Sequence, residues 1–141
     1  MVCVLIVDDD EDDRDLFCDA VNMVDSSINC IMARNGEEAL EGLKSRVFHR
    51  PDIIFLDLNM PRLNGMQCLN VLKQDPILKH IPIVIYTTSK LKEDKKAAMQ
   101  SGAADFVTKP TSLKELCEVI SGVLVNQGML ANSPPDCWFF I

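Results

Sequence analysis

The sequence predicts an α/β protein: a doubly wound, five-stranded parallel sheet covered by five helices. Three observations carry that prediction. Short apolar runs alternate five times with segments of helical spacing, the order that gives a parallel sheet with helices on both faces. Two of the runs, residues 2–7 and 53–56, are apolar without alternation, as in strands buried on both sides. Each run stops at polar or charged residues, and open parallel sheets carry their chemistry at the carboxyl ends of the strands.

Residues 2–7 form the first strand, which stops at Asp8, Asp9 and Asp10. A helix starts there, because acids in a first turn favour the helix dipole. Leu16, Phe17, Ala20, Val21 and Val24 recur at helical spacing as its inward face, and residues 25–27 break it. Residues 28–33 make a weaker strand, nearer an edge. Asn35 caps a second helix with Ala39, Leu40, Leu43 and Val47 inward, closed by His49, Arg50 and Pro51. Residues 53–56 are the central strand and run straight into Asp57. Pro61, Asn64 and Gly65 mark a loop; Met66, Leu69 and Leu72 carry the third helix, which ends at Asp75 and Pro76. Residues 81–86 are the fourth strand, with Pro82 tolerated at its start. A helix rich in lysine and alanine spans about 90–101 and stops at Gly102. Residues 104–108 form the fifth strand before Lys109 and Pro110. Ser112 and Glu115 have capping-box spacing, and Leu113, Leu116, Cys117, Ile120, Val123 and Leu124 face the last helix inward until Gly128.

At 141 residues the chain reads as one domain, residues 1–127, followed by a tail, residues 128–141, with an apolar end at 137–141. A net charge of -7 excludes a surface for duplex nucleic acid, which requires a basic stripe, and suits a protein that holds cations. The six cysteines form no CxxC pair and no zinc-spaced cluster, so they read as reduced thiols serving as small core hydrophobes, which fits a cytoplasmic chain. No basic leader precedes the first strand, and no apolar run approaches the roughly 20 residues of a membrane span.

The strand ends gather an acidic cluster (Asp8, Asp9, Asp10), a central carboxylate (Asp57), a hydroxyl (Thr87) and an ammonium (Lys109) on one rim. Close carboxylates repel unless a cation neutralises them. Oxygen ligands without histidine or thiol point to Mg²⁺ or Ca²⁺, and Mg²⁺ leaves room for phosphate oxygens. With a lysine to offset charge and a hydroxyl to bond an oxygen, a carboxylate such as Asp57 can carry an acyl phosphate. Singly, each residue has a bland reading: the acids as a solvated helix start, Thr87 as a strand end, Lys109 as an exposed charge. Their convergence at four strand ends of one sheet favours the chemical one.

These motifs resemble a response-regulator receiver domain, the two-component signalling module typified by the bacterial chemotaxis regulator. The matching pieces are residues 6–10, 56–61 with Gly65, 86–88 and 105–110, in family order and spacing, within a resemblance that covers about residues 2–126. The resemblance implies a flavodoxin-like (βα)5 fold with strand order 2-1-3-4-5. It implies Asp57 as phosphoacceptor, Asp9 as direct Mg²⁺ ligand, Asp8 as the acid that helps hold the metal, and Asn59 as a backbone-carbonyl ligand. Thr87 and Lys109 match the phosphoryl-contacting switch pair, and Phe106 the rotating aromatic, here without a hydroxyl to hydrogen-bond. Asn59 and Ser89 match two positions that tune phosphoryl lifetime; neither is a strong acid or base, which implies no unusually fast self-hydrolysis. A cis bond is implied before Pro110.

The implied partners are a sensor histidine kinase or histidine phosphotransfer protein and a downstream protein target, with no nucleic acid and no membrane. The protein would catalyse only its own aspartyl phosphorylation and dephosphorylation, as a monomer or weak homodimer. Its signalling surface would be the fourth helix, fifth strand and fifth helix, where Lys90, Lys92, Lys95 and Lys96 make either a solvated face or a landing site for an acidic partner. Nothing after residue 127 is long enough for an output domain, and the aromatic tail folds back on the domain or meets a partner. A non-switching interaction module on the same fold is the second hypothesis. Haloacid-dehalogenase phosphatases need an acid where Asn59 stands, a calcium loop needs Gly where Asp13 stands, and no GxGxxG serves a dinucleotide.

Overall fold

The computed structural model describes residues 1–131. Five parallel strands, β1 (Cys3–Val7), β2 (Asn29–Ala33), β3 (Ile53–Leu56), β4 (Ile83–Thr87) and β5 (Asp105–Thr108), lie in the order β2-β1-β3-β4-β5. Helices α1 (Glu11–Val24), α2 (Gly36–Lys44), α3 (Gly65–Gln74), α4 (Lys92–Gln100) and α5 (Leu113–Asn126) connect and follow them, with a short 3₁₀ turn, Leu78–His80, before β4. This is the flavodoxin-like arrangement expected.

Alternation along the buried strands divides the core in two. Val4, Ile6, Ile53, Phe55, Val84 and Tyr86 pack on α1 and α5. Leu5, Val7, Ile54, Leu56, Ile83 and Ile85 pack on α2, α3 and α4. The α1/α5 side is centred on Phe17, whose ring lies 4.8 Å from Phe55 and 5.3 Å from Tyr86, tilted and edge-on, at about 0.5–1.5 kcal/mol per pair beyond the area buried. Caps fix where helices begin: Asp10, Asn35, Asn64 and Ser112 each accept from a backbone N–H three residues on.

Several expectations are corrected. Leu16 was placed on the inward face of α1 but is 43% exposed, and Arg14 is buried in that face instead. The Arg14 guanidinium reaches the Asp8 carbonyl at 2.8 Å, so a polar partner draws a charged side chain inward. Val47 is 78% exposed because α2 stops at Lys44 and Arg46 turns the chain at φ 62°. Among the described residues every peptide bond is trans, including the one before Pro110, where cis was expected. Trans is the lower-energy isomer of X-Pro by about 0.5–1 kcal/mol, and here the Lys109 N–H extends the ladder to the Thr87 carbonyl at 2.7 Å.

The reduced-thiol reading fails for two cysteines. Cys18 on α1 and Cys30 on β2 form a disulfide, with Cα atoms 5.8 Å apart, inside the range a disulfide spans. β2 is an edge strand and Cys18 lies on the flank of α1, so the two thiols meet beside the core rather than within it. Cys3, Cys68 and Cys117 are free and buried, as expected. Cys137 and the aromatic end of the tail lie outside the described residues.

Candidate functional site

Register sets the site. Val7 pairs with Leu56, and the Asp57 N–H donates to the Val7 carbonyl at 3.0 Å, so Asp8 and Asp57 emerge side by side one residue past the ladder. Thr87 and Thr108 are paired at the ends of β4 and β5, which brings Lys109 up beside them. Gly65 closes the loop after Asp57. A Cβ there would come 2.2 Å from the Asp57 carbonyl oxygen, so only glycine lets the start of α3 lie this close.

The rim is bound together by Lys109. Its ammonium, with the side chain 10% exposed, donates to Asp8 at 2.7 Å, Asp13 at 2.8 Å and Asp57 at 3.3 Å. Burial alone disfavours that ammonium, but the hydrogen bonds to Asp13 and Asp8 and the charge of Asp57 outweigh it and raise its pKa. Its charge also lies 5.5 Å from the Tyr86 ring centroid. Burial pushes the Tyr86 hydroxyl up to about 12, with Lys109 opposing. Asp8 is fully buried; burial raises its carboxyl pKa in spite of the hydrogen bonds from Lys109 and the Asp10 N–H.

Asp57 is buried, and its carboxylate also accepts from the Asn59 N–H at 3.3 Å. The Asn59 amide donates to the hydroxyl of fully buried Thr87, also at 3.3 Å. Ser89 lies just beyond: its hydroxyl donates to Asp94, and its carbonyl accepts from the Thr108 hydroxyl at 3.2 Å. Phe106 is half-buried and packs with the α2–α4 side of the core, next to Ile85 in the sheet.

Asp8, Asp9 and Asp57 form a group whose ligand oxygens all lie within 4.8 Å of one another. Opposite oxygens around Mg²⁺ stand about 4 Å apart, so the spacing and the all-oxygen donor set fit a hard divalent cation. Asp8 is fully buried within this group, and a cation there would offset the cost of burying its carboxylate. Asp9 is exposed and open to solvent.

The expected residues Asp8, Asp9, Asp57, Asn59, Thr87, Ser89 and Lys109 are on this rim or the loops beside it; Phe106 lies within β5 against the core, and the cis bond at Pro110 is absent. Two participants were missed: Asp13, which holds Lys109, and Arg14, which holds the Asp8 backbone. No sequence signal separates Asp13 from the acids around it; it stands three residues after the cap Asp10, and its backbone N–H donates to the Asp10 carboxylate at 3.1 Å.

A doubly wound parallel sheet thus gathers carboxylates, a hydroxyl and a lysine at one rim. The profile of the response regulator receiver domain matches residues 4–121, and the chain belongs to that family. The polar-differentiation response regulator DivK of Brucella anthropi is 35% identical over 121 residues, covering 86% of this chain and 94% of the relative. The crystal structure of the Mn²⁺-bound form of response regulator Rcp1 superposes with a TM-score of 0.81 at 29% identity, covering 96% of this chain and 99% of that one. The phosphorylated cyanobacterial phytochrome response regulator RcpA gives 0.83 at 28% identity, covering 95% and 99%. Receiver domains are signalling proteins rather than enzymes acting on separate substrates, and they meet histidine kinases and downstream targets. Among the described residues no helix is long and apolar enough to cross a membrane.

Proposed function

We propose that the protein is a phosphorylation-dependent signalling switch that accepts a phosphoryl group on Asp57, with Mg²⁺, from a histidine kinase or histidine phosphotransfer protein. The observation that carries this is the joining of Asp57, Asp8 and Lys109 through one ammonium, beside a fully buried Thr87. A carboxylate oxygen of Asp57 attacks phosphorus. The new O–P bond forms as the P–N bond of the donor phosphohistidine breaks, and the departing imidazole takes up a proton.

Asp8, Asp9, Asp57 and the backbone carbonyl of Asn59 would hold the metal. When bound, Mg²⁺ offsets the charge of the carboxylates and the phosphoryl oxygens. Lys109 supplies a second positive charge from the β5 side. The Thr87 hydroxyl, now engaged by Asn59, turns to a phosphoryl oxygen, and Phe106 fills the space this opens. The change is read at the face of α4, β5 and α5 by a partner protein. Residues 1–127 are the receiver unit of this reading and residues 128–141 a tail.

Incubation with acetyl phosphate tests it. One Mg²⁺-dependent, acid-stable and base-labile phosphoryl group should appear, mapping to Asp57 and lost in Asp57→Ala. No incorporation from acetyl phosphate or from a kinase would favour a non-switching interaction module.

A further inference from the structure

We propose that Asp13 is a positioning residue for Lys109, the carboxylate that keeps the ammonium at the rim when a divalent cation claims Asp8 and Asp57. The proposal rests on the reading of this rim as a metal-dependent phosphoryl site. An ammonium has three protons to donate, and all three of the Lys109 carboxylate partners are identified: Asp8, Asp13 and Asp57. Two of these belong to the group of oxygens spaced for a cation, and Asp13 does not. A metal and the ammonium thus compete for Asp8 and Asp57, while Asp13 is left to Lys109 alone.

Geometry sets Asp13 apart from an ordinary surface ion pair, which joins two flexible ends and contributes little. The Lys109 end is fixed, with its N–H on the Thr87 carbonyl at 2.7 Å and its side chain 10% exposed. The Asp13 end is fixed too, by its N–H on the cap Asp10, although its carboxylate is 38% exposed. The next residue, Arg14, donates to the Asp8 carbonyl at 2.8 Å. One turn of α1 therefore grips both sides of the rim. Asp13 draws the lysine toward α1, and Arg14 locks the main chain of the metal-holding acid. A second negative charge for Lys109 lets it remain near Asp57 without surrendering to the cation or excluding it.

The experiment is a double-mutant cycle on the full chain, read by calorimetric titration with Mg²⁺ and by the exchange of the Lys109 ammonium protons in metal-free protein. Asp13→Asn should weaken Mg²⁺ binding about tenfold when Lys109 is present and much less in a Lys109→Met background, since coupling of that order marks groups in contact. Asp13→Asn should also speed exchange of the Lys109 ammonium protons, and Asp13→Glu should restore slow exchange in part. Equal weakening in both lysine backgrounds would show a general loss of negative charge and overturn the proposal alone, as would unchanged ammonium exchange. A wild-type chain that binds no Mg²⁺ would overturn the phosphoryl-site reading and this proposal together.

Discussion

The Asn59 amide donates to the Thr87 hydroxyl across 3.3 Å, tying the loop after β3 to the end of β4 two residues beyond the central carboxylate. In the proposed cycle this bond must break before Thr87 can turn to a phosphoryl oxygen. Asn59 also supplies no base near Asp57. Asn59→Asp is therefore expected to shorten the lifetime of the phosphoryl group roughly tenfold, below the ~100-fold that a well-positioned general base contributes. Ser89→Glu should act in the same direction. Loss of radiolabel from Asp57 over time measures both, and unchanged decay in the two variants would exclude these side chains as lifetime determinants.

Gly65 couples the site to the fold. A Cβ at this position would lie 2.2 Å from the Asp57 oxygen and 2.6 Å from the Leu58 Cα, both backbone atoms that cannot swing aside. Gly65→Ala is expected to lower stability by about 1–3 kcal/mol, the usual cost of overpacking. The shift should appear in the urea midpoint with little change in slope. Because the same clash displaces the Asp57 main chain, phosphorylation by acetyl phosphate should slow as well.

The sequence and the structure agree where one physical signal dominates. Continuous apolar runs marked β1 and β3 because strands buried on both faces tolerate nothing else, and the weaker run at β2 proved to be an edge. The rim residues were legible because strand ends converge in any parallel sheet. Leu16 was misplaced and Arg14 missed because hydrophobic periodicity is blind to a main-chain acceptor such as the Asp8 carbonyl, just before the helix, that a charged side chain can reach. Asp13 was hidden among six other acids between residues 8 and 15, where only packing tells which carboxylate meets Lys109. The Cys18–Cys30 pair depends on how α1 lies on the sheet edge, which no spacing of cysteines encodes.

If the rim holds Mg²⁺ as proposed, Asp8 should give the protein a metal-dependent response to pH. Burial raises its native pKa above the ordinary 3.8, so the metal-free native state holds this proton more tightly than the unfolded chain. The stability Asp8 contributes is then fully present below the unfolded value and is lost as pH rises through the raised native value. A cation binds only the carboxylate form, so in excess Mg²⁺ the sign reverses and stability rises with pH across the same window. Urea unfolding across that window with chelator and with Mg²⁺ measures both slopes. The difference between wild type and Asp8→Asn isolates the contribution, and identical slopes with and without Mg²⁺ would mean that Asp8 does not face the metal.

The Cys18–Cys30 disulfide closes a loop across a sequence separation of 12, joining α1 to the edge strand β2. By the chain-entropy account, a cross-link over a loop of this size stabilises the fold by about 3 kcal/mol, chiefly by restricting the unfolded chain. Reduction with dithiothreitol should lower the urea midpoint accordingly. Cys18→Ser should give the same loss without reductant and should no longer respond to it, and the Cys18→Ser/Cys30→Ser pair should be no worse than either single change. The remaining described cysteines set the control. Cys3, Cys68 and Cys117 are buried, and burial pushes the Cys68 thiol up to about 12, so none of them reacts readily with an alkylating agent while the protein is folded. Peptide mapping after reduction and alkylation of native protein should therefore find label at Cys18 and Cys30 and, within residues 1–131, little elsewhere. Label at both positions before any reductant is added would show that the two thiols are not joined.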